Sequence, residues 1–273
     1  MATSVGLWQY RHALWNLVAR DLTVRYKRSV LGFLWSLLNP VLLMLTFVVV
    51  FKYLFPNPIP NYSVKLFTCL ITWRFFNAAV MDGANSVSVR VALLKRVSFP
   101  RLILPAASLL ANFVDFLLAL GVVVLYFAAV RVTVNWPYVP LAILALCIQM
   151  VLTLGLSLIL ASFSVFYSDV QFTVANLLQM WFFLSPIVYM ADLAVHTTHF
   201  PRIYKVLFFL NPMTPPLIAY RSLLPEQEPW RIMIQYGFPY YTYLGISAAV
   251  AVVTAIIGWF VFKRLEGKFA KEG

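Results

Sequence analysis

No charged residue lies between Arg28 and Lys52, a run of 23 positions, and that run decides what kind of chain this is. At about 1.5 Å per residue, a helix of that length crosses a hydrocarbon core of about 30 Å. Just before it stands a dense basic stretch containing Arg20, Arg25, Lys27 and Arg28. Lys and Arg flanks resist translocation, so this end is expected on the cytoplasmic side. The chain therefore starts inside, follows the membrane surface and then crosses.

The first 28 residues lack the continuous apolar core and small-residue cleavage site of a secretory signal, and carry Arg11 and Arg20 where that core would lie. They read instead as an amphipathic helix. At about 100° per residue, Leu7, Trp8, Leu14, Trp15, Val18, Leu22 and Tyr26 share one face, with Gln9, Asn16, Arg20, Thr23 and Lys27 on the other. Arg11 and Arg25 interrupt the apolar face and are expected to snorkel to lipid head groups. Such a helix lies in the interface plane.

Composition supports a membrane chain, since 62% of residues are hydrophobic and 11% charged, against about 25% charged in soluble domains. The net charge of +12 would suggest nucleic acid in a soluble protein. No basic domain stands apart from the apolar runs, so the excess reads as topology signal and contact with anionic lipid. Cys69 and Cys147 both fall in apolar runs and read as buried small hydrophobes, not as a disulfide framework.

The expected fold class is an all-α integral membrane protein with six transmembrane helices. An interface helix covers residues 1–29, the transmembrane domain 30–262 and a basic cytoplasmic tail 263–273. Spans are expected at residues 30–51, with Pro40 as a kink, and at 63–81, 102–130, 138–166, 170–190 and 240–262. Six crossings put both termini inside. The inner segments agree, holding Arg90, Lys95, Arg96 and Arg101 within residues 82–101 and Lys263, Arg264, Lys268 and Lys271 in the tail.

Residues 191–239 form the odd element. Two apolar pieces, 204–210 and 217–224, flank Asn211-Pro212-Met213-Thr214-Pro215-Pro216, and each is too short to cross. They are expected to form re-entrant outer helices before the last span, dipping into the outer leaflet as a hairpin whose ends protein buries; a pair of helices lying on the outer surface is the alternative. The two halves of the chain differ in span length, loop style and charge, so no inverted repeat is visible.

Chemistry-bearing signals are few. No phosphate-cradling Gly-x-x-x-x-Gly-Lys-Ser/Thr loop occurs, and Gly267-Lys268-Phe269 fails the pattern. His196, His199 and Asp192 lie in a polar loop without a fourth ligand and read as solvated residues, so no metal site is expected. No nucleophile–base pair is evident, and no catalytic residue is expected. Arg74 and Asp115 are the intramembrane charges, functional candidates by default. Arg74 either binds an anionic group such as a phosphate in a water-filled path, pairs with Asp115, or sits nearer the inner surface. Clustered aromatics, Trp73 with Phe75 and Phe76 and Trp181 with Phe182 and Phe183, read mainly as packing. A minority facing a conduit could stack on sugar rings; the candidates for the path are Trp35, Trp73, Arg74, Phe76, Trp181 and Tyr189.

Residues 20–40, RDLTVRYKRSVLGFLWSLLNP, closely resemble the opening motif of type-two ATP-binding-cassette (ABC) exporter permeases of the polysaccharide branch, which export O-antigen, capsule or wall teichoic acid. LKRVSFPR at 94–101 with Leu104-Pro105, Tyr167-Ser168-Asp169, SPIVY at 185–189, and Asn211-Pro212-Met213-Thr214 followed by Tyr220-Arg221 match in the same order. The resemblance implies a homodimer forming one conduit in the bacterial cytoplasmic membrane. Two copies of a separate cytoplasmic ATPase, binding ATP and magnesium, would drive it. It further implies ATPase coupling through Arg20, Asp21, Arg25, Tyr26, Lys27, Arg90, Lys95 and Arg96, with Tyr167, Ser168 and Asp169 as a second contact. Asn211, Pro212, Tyr220 and Arg221 would belong to an outer gate. A membrane-embedded transferase acting on a lipid-linked sugar is the alternative, with Asp169 and Asp192 as its available acids. A small secondary transporter is disfavoured by the missing repeat and the scarcity of intramembrane carboxylates.

Overall fold

The computed structural model describes residues 10–26, 34–54, 62–90, 100–189, 191, 202–224 and 240–269, and among these every regular element is a helix. In chain order they are α1 (Arg11–Tyr26), α2 (Leu34–Val49), α3 (Tyr62–Asn85), α4 (Ile103–Val130), α5 (Val139–Ser164), α6 (Val170–Leu184), α7 (Arg202–Leu210), α8 (Thr214–Arg221) and α9 (Tyr240–Leu265). Among the described residues four helices have the length and composition to cross a membrane: α3, α4, α9, and α5 with the 3₁₀ turn Trp136–Tyr138 that opens it.

The other two expected spans are shorter. Helix α6 has 15 residues and stops at Leu184, where Ser185 turns extended at φ −104° and ψ 146°. Pro186 follows, and a proline disfavours the helical conformation in the residue before it. Helix α2 contains Pro40 without a break in the helix and continues as a π-helical turn, Val50–Leu54, giving a helical path over residues 34–54. A ring contact of 4.9 Å between Phe51 and Tyr62 ties that turn to the start of α3.

Helix α3 is the axis of the bundle. It packs on α2, α4, α5, α6 and α8, and 78% of its apolar window is buried, against 22–44% for the other long helices. This resolves the oddity of its sequence: a helix too polar to face lipid on all sides is surrounded by protein instead. Close approach comes from small residues. A Cβ added at Gly83 would fall 2.5 Å from the Ser157 Cβ, which marks the α3–α5 crossing. The α5–α9 crossing is closer still, with Gly155 set against the backbone of Ala255 and Gly258 against the carbonyl of Gly155.

The ends of the elements follow local chemistry. Helix α4 ends at Arg131 in the left-handed conformation (φ 56°), whose N–H reaches back to the carbonyls of Ala128 and Phe127. The outer turn beyond it is pinned to the turn after α8, the Asn135 N–H donating to the Leu223 carbonyl at 2.8 Å. Helix α8 places Pro215 and Pro216 in its first turn, where a missing N–H costs no internal bond. It starts three residues earlier than the apolar piece at 217–224 suggests, and all eight of its residues are buried, between α3, α5 and α9. A pair of helices both lying on an outer surface is therefore not what forms. Helix α7, by contrast, exposes Ile203, Tyr204 and Leu207 and buries Phe209.

Helix α1 departs from the face expected of it. Val18 is its buried residue, packed with Leu14, Leu17 and Leu22 against Ala107, Ala111 and Leu110 of α4, while Trp15 is 64% exposed. The helix is thus docked on the bundle by a narrow stripe. Cys69 is buried as expected, but Cys147 lies on the outward face of α5 and is not a core residue.

Candidate functional site

The charges of α1 converge on the C-terminal part of α3 and the first half of α4. The Arg25 guanidinium donates to Asp82 at 2.7 Å and to Asn112 at 3.2 Å, and also binds the Asp115 carboxylate. Asn112 completes the cluster by donating to the same Asp82 oxygen at 2.8 Å and to the Ser108 carbonyl at 2.9 Å. One helical turn before Arg25, Asp21 accepts from Arg90 at 2.5 and 2.6 Å, with both side chains largely buried. Two ion-pair clusters, four residues apart on one helix face, therefore fix the arm to α3, α4 and the turn after α3. Charge-assisted bonds of this kind are the stronger class of hydrogen bond and hold geometry as well as energy.

These contacts correct one expectation. Arg25 does not snorkel to head groups; two carboxylates within reach take its charge instead. Asp21, Arg25 and Arg90, expected to couple to a partner ATPase, are engaged in ion pairs within the chain. Arg20 is exposed on the same helix, as are Tyr167, Ser168 and Asp169 in the turn between α5 and α6. Lys27, Lys95, Arg96, Asp192, His196 and His199 lie outside the described residues, and of Tyr26 only the backbone is described.

Above the arm's anchor lies a cavity of about 390 Å³ between α2, α3 and α4, lined in part by Arg25, Trp35, Asn39, Arg74, Asn112 and Asp115. Arg74 and Asp115 share this cavity, but Asp115 is held by Arg25. Trp35 is 39% exposed. Trp73 and Phe76, expected to face a path, are buried at 4% and 0% exposure. Their rings meet Trp181 at 6.3 and 5.3 Å, and Trp73 meets Phe182 at 5.8 Å. The reason is plain: these rings fill the seam between α3 and α6. Trp181 is half-buried in that seam, and Tyr189 half-buried beside Phe208.

At the opposite end the Asn211-Pro212 turn and α8 are held by polar contacts inside the bundle. The Asn211 Oδ1 accepts from Trp181 Nε1 at 2.8 Å and from the Met213 N–H at 3.0 Å, and its Nδ2 donates to Ser185 Oγ at 3.0 Å. Ser247 donates to the Pro212 carbonyl at 2.6 Å and Tyr240 to the Pro215 carbonyl at 2.9 Å. Tyr220 donates to Gln149 Oε1 at 2.8 Å, and Gln149 Nε2 donates onward to the Thr72 carbonyl at 2.9 Å. Arg221, 3% exposed, donates to the Ile187 carbonyl at 2.7 Å. The structure thus brings the half-buried Asn211 and Pro212 and the buried Tyr220 and Arg221 together as one unit bonded to α3, α5, α6 and α9.

The profile of the ABC-2 type transporter family matches residues 12–224, most of the chain. The chain belongs to this family. Among the relatives of this ABC-2 permease is the O-antigen export system permease protein RfbA of Myxococcus xanthus, 36% identical over 270 residues, which cover 97% of this chain and 96% of that protein. The O-antigen export system permease protein RfbA of Klebsiella pneumoniae is 27% identical over 255 residues, covering 92% of this chain and 91% of its own length. As a multi-pass membrane protein of this family, the chain is a transport component, and the kind of partner it takes is an ATPase subunit.

Several working residues went unmarked in the sequence. Gln149 is a lone amide inside an apolar helix, a signal in itself, because a polar group at that depth must be satisfied by protein. Asp82 and Asn112 lie three or four residues, or one further turn, from positions already noted, on the helix faces that meet Arg25. Lys65, 2% exposed, is a further charge within the apolar helix α3.

Proposed function

We propose that this permease is the membrane subunit of an ATP-driven exporter moving a lipid-linked polysaccharide of the O-antigen kind from the cytoplasmic to the outer side of the bacterial cytoplasmic membrane. The observation that carries the reading is the end-to-end similarity to O-antigen export permeases, at 36% identity over 97% of the chain for the Myxococcus protein. Two copies of the chain form the conduit, with both termini cytoplasmic. Helix α6 buries Val174 and Leu178 and leaves Phe172, Leu177, Met180 and Phe183 exposed, an apolar face open to lipid or to that second copy.

ATP and magnesium bind the two partner ATPase subunits, and closure of that pair acts on the inner face of the permease. The exposed turn Tyr167–Asp169 and the exposed side of α1, including Arg20, receive the motion. Asp21 and Arg25 transmit it, since a push on α1 acts directly on the C-terminal part of α3 and the first half of α4. Helix α3 in turn is bonded through Thr72, Gln149 and Tyr220 to the unit around α8, the outer gate of this reading. A displacement applied at one end of α3 thus has a bonded route to the other. Trp35 and Arg74, on exposed faces of α2 and α3, belong to the cargo's path.

Purification of tagged chain from its native cell in mild detergent, followed by native mass spectrometry, tests this assembly. The expected result is a complex of two permease chains with two nucleotide-binding subunits. A stable lone chain that turns over a lipid-linked sugar without any ATPase would favour the transferase instead.

A further inference from the structure

We propose that the cavity between α2, α3 and α4 is a binding site for the phosphate headgroup of a membrane lipid, with Arg74 as its anion ligand. Arg74 lies 11 residues before the end of α3 at Asn85, about 16 Å along the axis. It is exposed, and it makes no hydrogen bond or ion pair with a described residue. Arg25 and Arg90, by contrast, hold carboxylates, and Arg221 a carbonyl. An unpaired guanidinium at that depth is costly in a bilayer and needs water or an anion to meet it.

The walls say what kind of anion. Of the charged groups lining the cavity, two are arginines and one is Asp115, and Arg25 already serves both Asp82 and Asp115. Arg74 is thus the charged group of the cavity wall that no carboxylate of a described residue meets, and a cationic ligand would approach a like charge at close range. Asn39 and Asn112 bring amide groups to the same space, while Ile71, Phe75, Phe116 and Ala119 make the rest apolar. A polar, cationic focus in an apolar wall suits an amphiphile, and a planar guanidinium fork matches phosphate oxygens two at a time. The volume of about 390 Å³ falls within the about 300–1,000 Å³ usual for small-molecule sites. The phosphate has two possible carriers, the lipid bearing the cargo or a bulk phospholipid. The site requires only that these helices lie in the membrane, so it stands or falls separately from the identity of the cargo.

The experiment is a titration of the purified full-length chain in detergent, read by native mass spectrometry. Its probes are a long-chain polyprenyl monophosphate, phosphatidylglycerol and, as the phosphate-free control, diacylglycerol. Wild type should retain the phosphate lipids, and Arg74→Gln should bind them about tenfold more weakly, as loss of a charge-assisted contact implies. Arg74→Lys should restore part of the difference, and diacylglycerol binding should not change. Preference for the polyprenyl phosphate assigns the site to the cargo's carrier; equal binding assigns it to bulk phospholipid. Should Arg74→Gln fail to fold, Ala78→Glu, one turn along the same cavity wall, keeps Arg74 and offers it a competing carboxylate, with the same loss expected. Unchanged affinity for both phosphate lipids in a folded Arg74→Gln or Ala78→Glu chain would overturn the proposal. So would a carboxylate of a second copy seated on Arg74 in the assembled exporter.

Discussion

Arg25→Glu is expected to reduce export to below about a tenth of wild type while the transmembrane bundle stays folded. The guanidinium of Arg25 is shared among Asp82, Asp115 and Asn112. Reversal places a third carboxylate beside the first two and removes every donor that arm residue offered. Like charges at about 4 Å repel by about 4 kcal/mol at an effective dielectric constant of 20, and partial exposure reduces this without cancelling it. The helix loses its anchor next to Asp115; the Asp21–Arg90 pair and the narrow apolar stripe at Val18 remain, but neither holds its C-terminal end against a moving partner. The long helices of the bundle do not depend on this contact, so the purified variant should keep its monodisperse profile and its melting midpoint to within a few degrees. Arg25→Glu combined with Asp115→Arg restores one cation between two carboxylates and should regain part of the transport. Near-normal export by the single variant would show that the arm transmits nothing through Arg25.

Gly155→Leu should prevent the chain from accumulating in a folded form. A Cβ at Gly155 would sit 2.6 Å from the Ala255 nitrogen, 2.7 Å from the Thr254 carbonyl carbon and 2.8 Å from the Ala255 Cα. All three are backbone atoms of α9, which cannot swing aside as a side chain can. Overpacking in ordinary cores costs about 1–3 kcal/mol; here two helix axes must separate along the most extensive interface of the bundle, so the loss should exceed that range. A total stability of about 5–15 kcal/mol leaves little in reserve. Gly245→Ala on the same helix is the control, since a Cβ there meets nothing within 4 Å. Size-exclusion profiles after heating should show the control unchanged and Gly155→Leu aggregated or absent. A Gly155→Leu chain with a wild-type melting midpoint would contradict the close crossing.

The apolar runs of α3, α4, α5 and α9 were readable because a bilayer imposes length and composition on anything that crosses it. Residues 102–130 and Ile103–Val130 differ by one position for that reason. Burial was harder to read. Trp73 and Phe76 look like conduit-lining aromatics in sequence, and only the path of α6 shows that they meet Trp181 and Phe182 instead. In sequence Arg25 looks like an imperfection in an amphipathic face, because its partners stand 57 and 90 residues away. Ion pairs of that separation leave no periodic mark. The Asn211-Pro212 turn was visible as a break between two short apolar pieces, yet its fit depends on Ser247 and Tyr240, which carry no local signature of the role, and on Gln149, whose lone amide marks a need for a partner without naming it. Sequence periodicity reports which face of a helix is apolar; it does not say whether lipid or protein covers that face.

Placement of the cargo tests the central claim most directly. Cells lacking this chain, complemented with wild type or with Arg25→Glu, can be fractionated and their lipid-linked glycan measured on each side of the cytoplasmic membrane. The exporter account predicts that the glycan is made in normal amount without the chain but stays on the cytoplasmic side. Wild type should return it to the outer side, and Arg25→Glu should not. A glycan that reaches the outer side without this chain, or that is never synthesised in its absence, would contradict it.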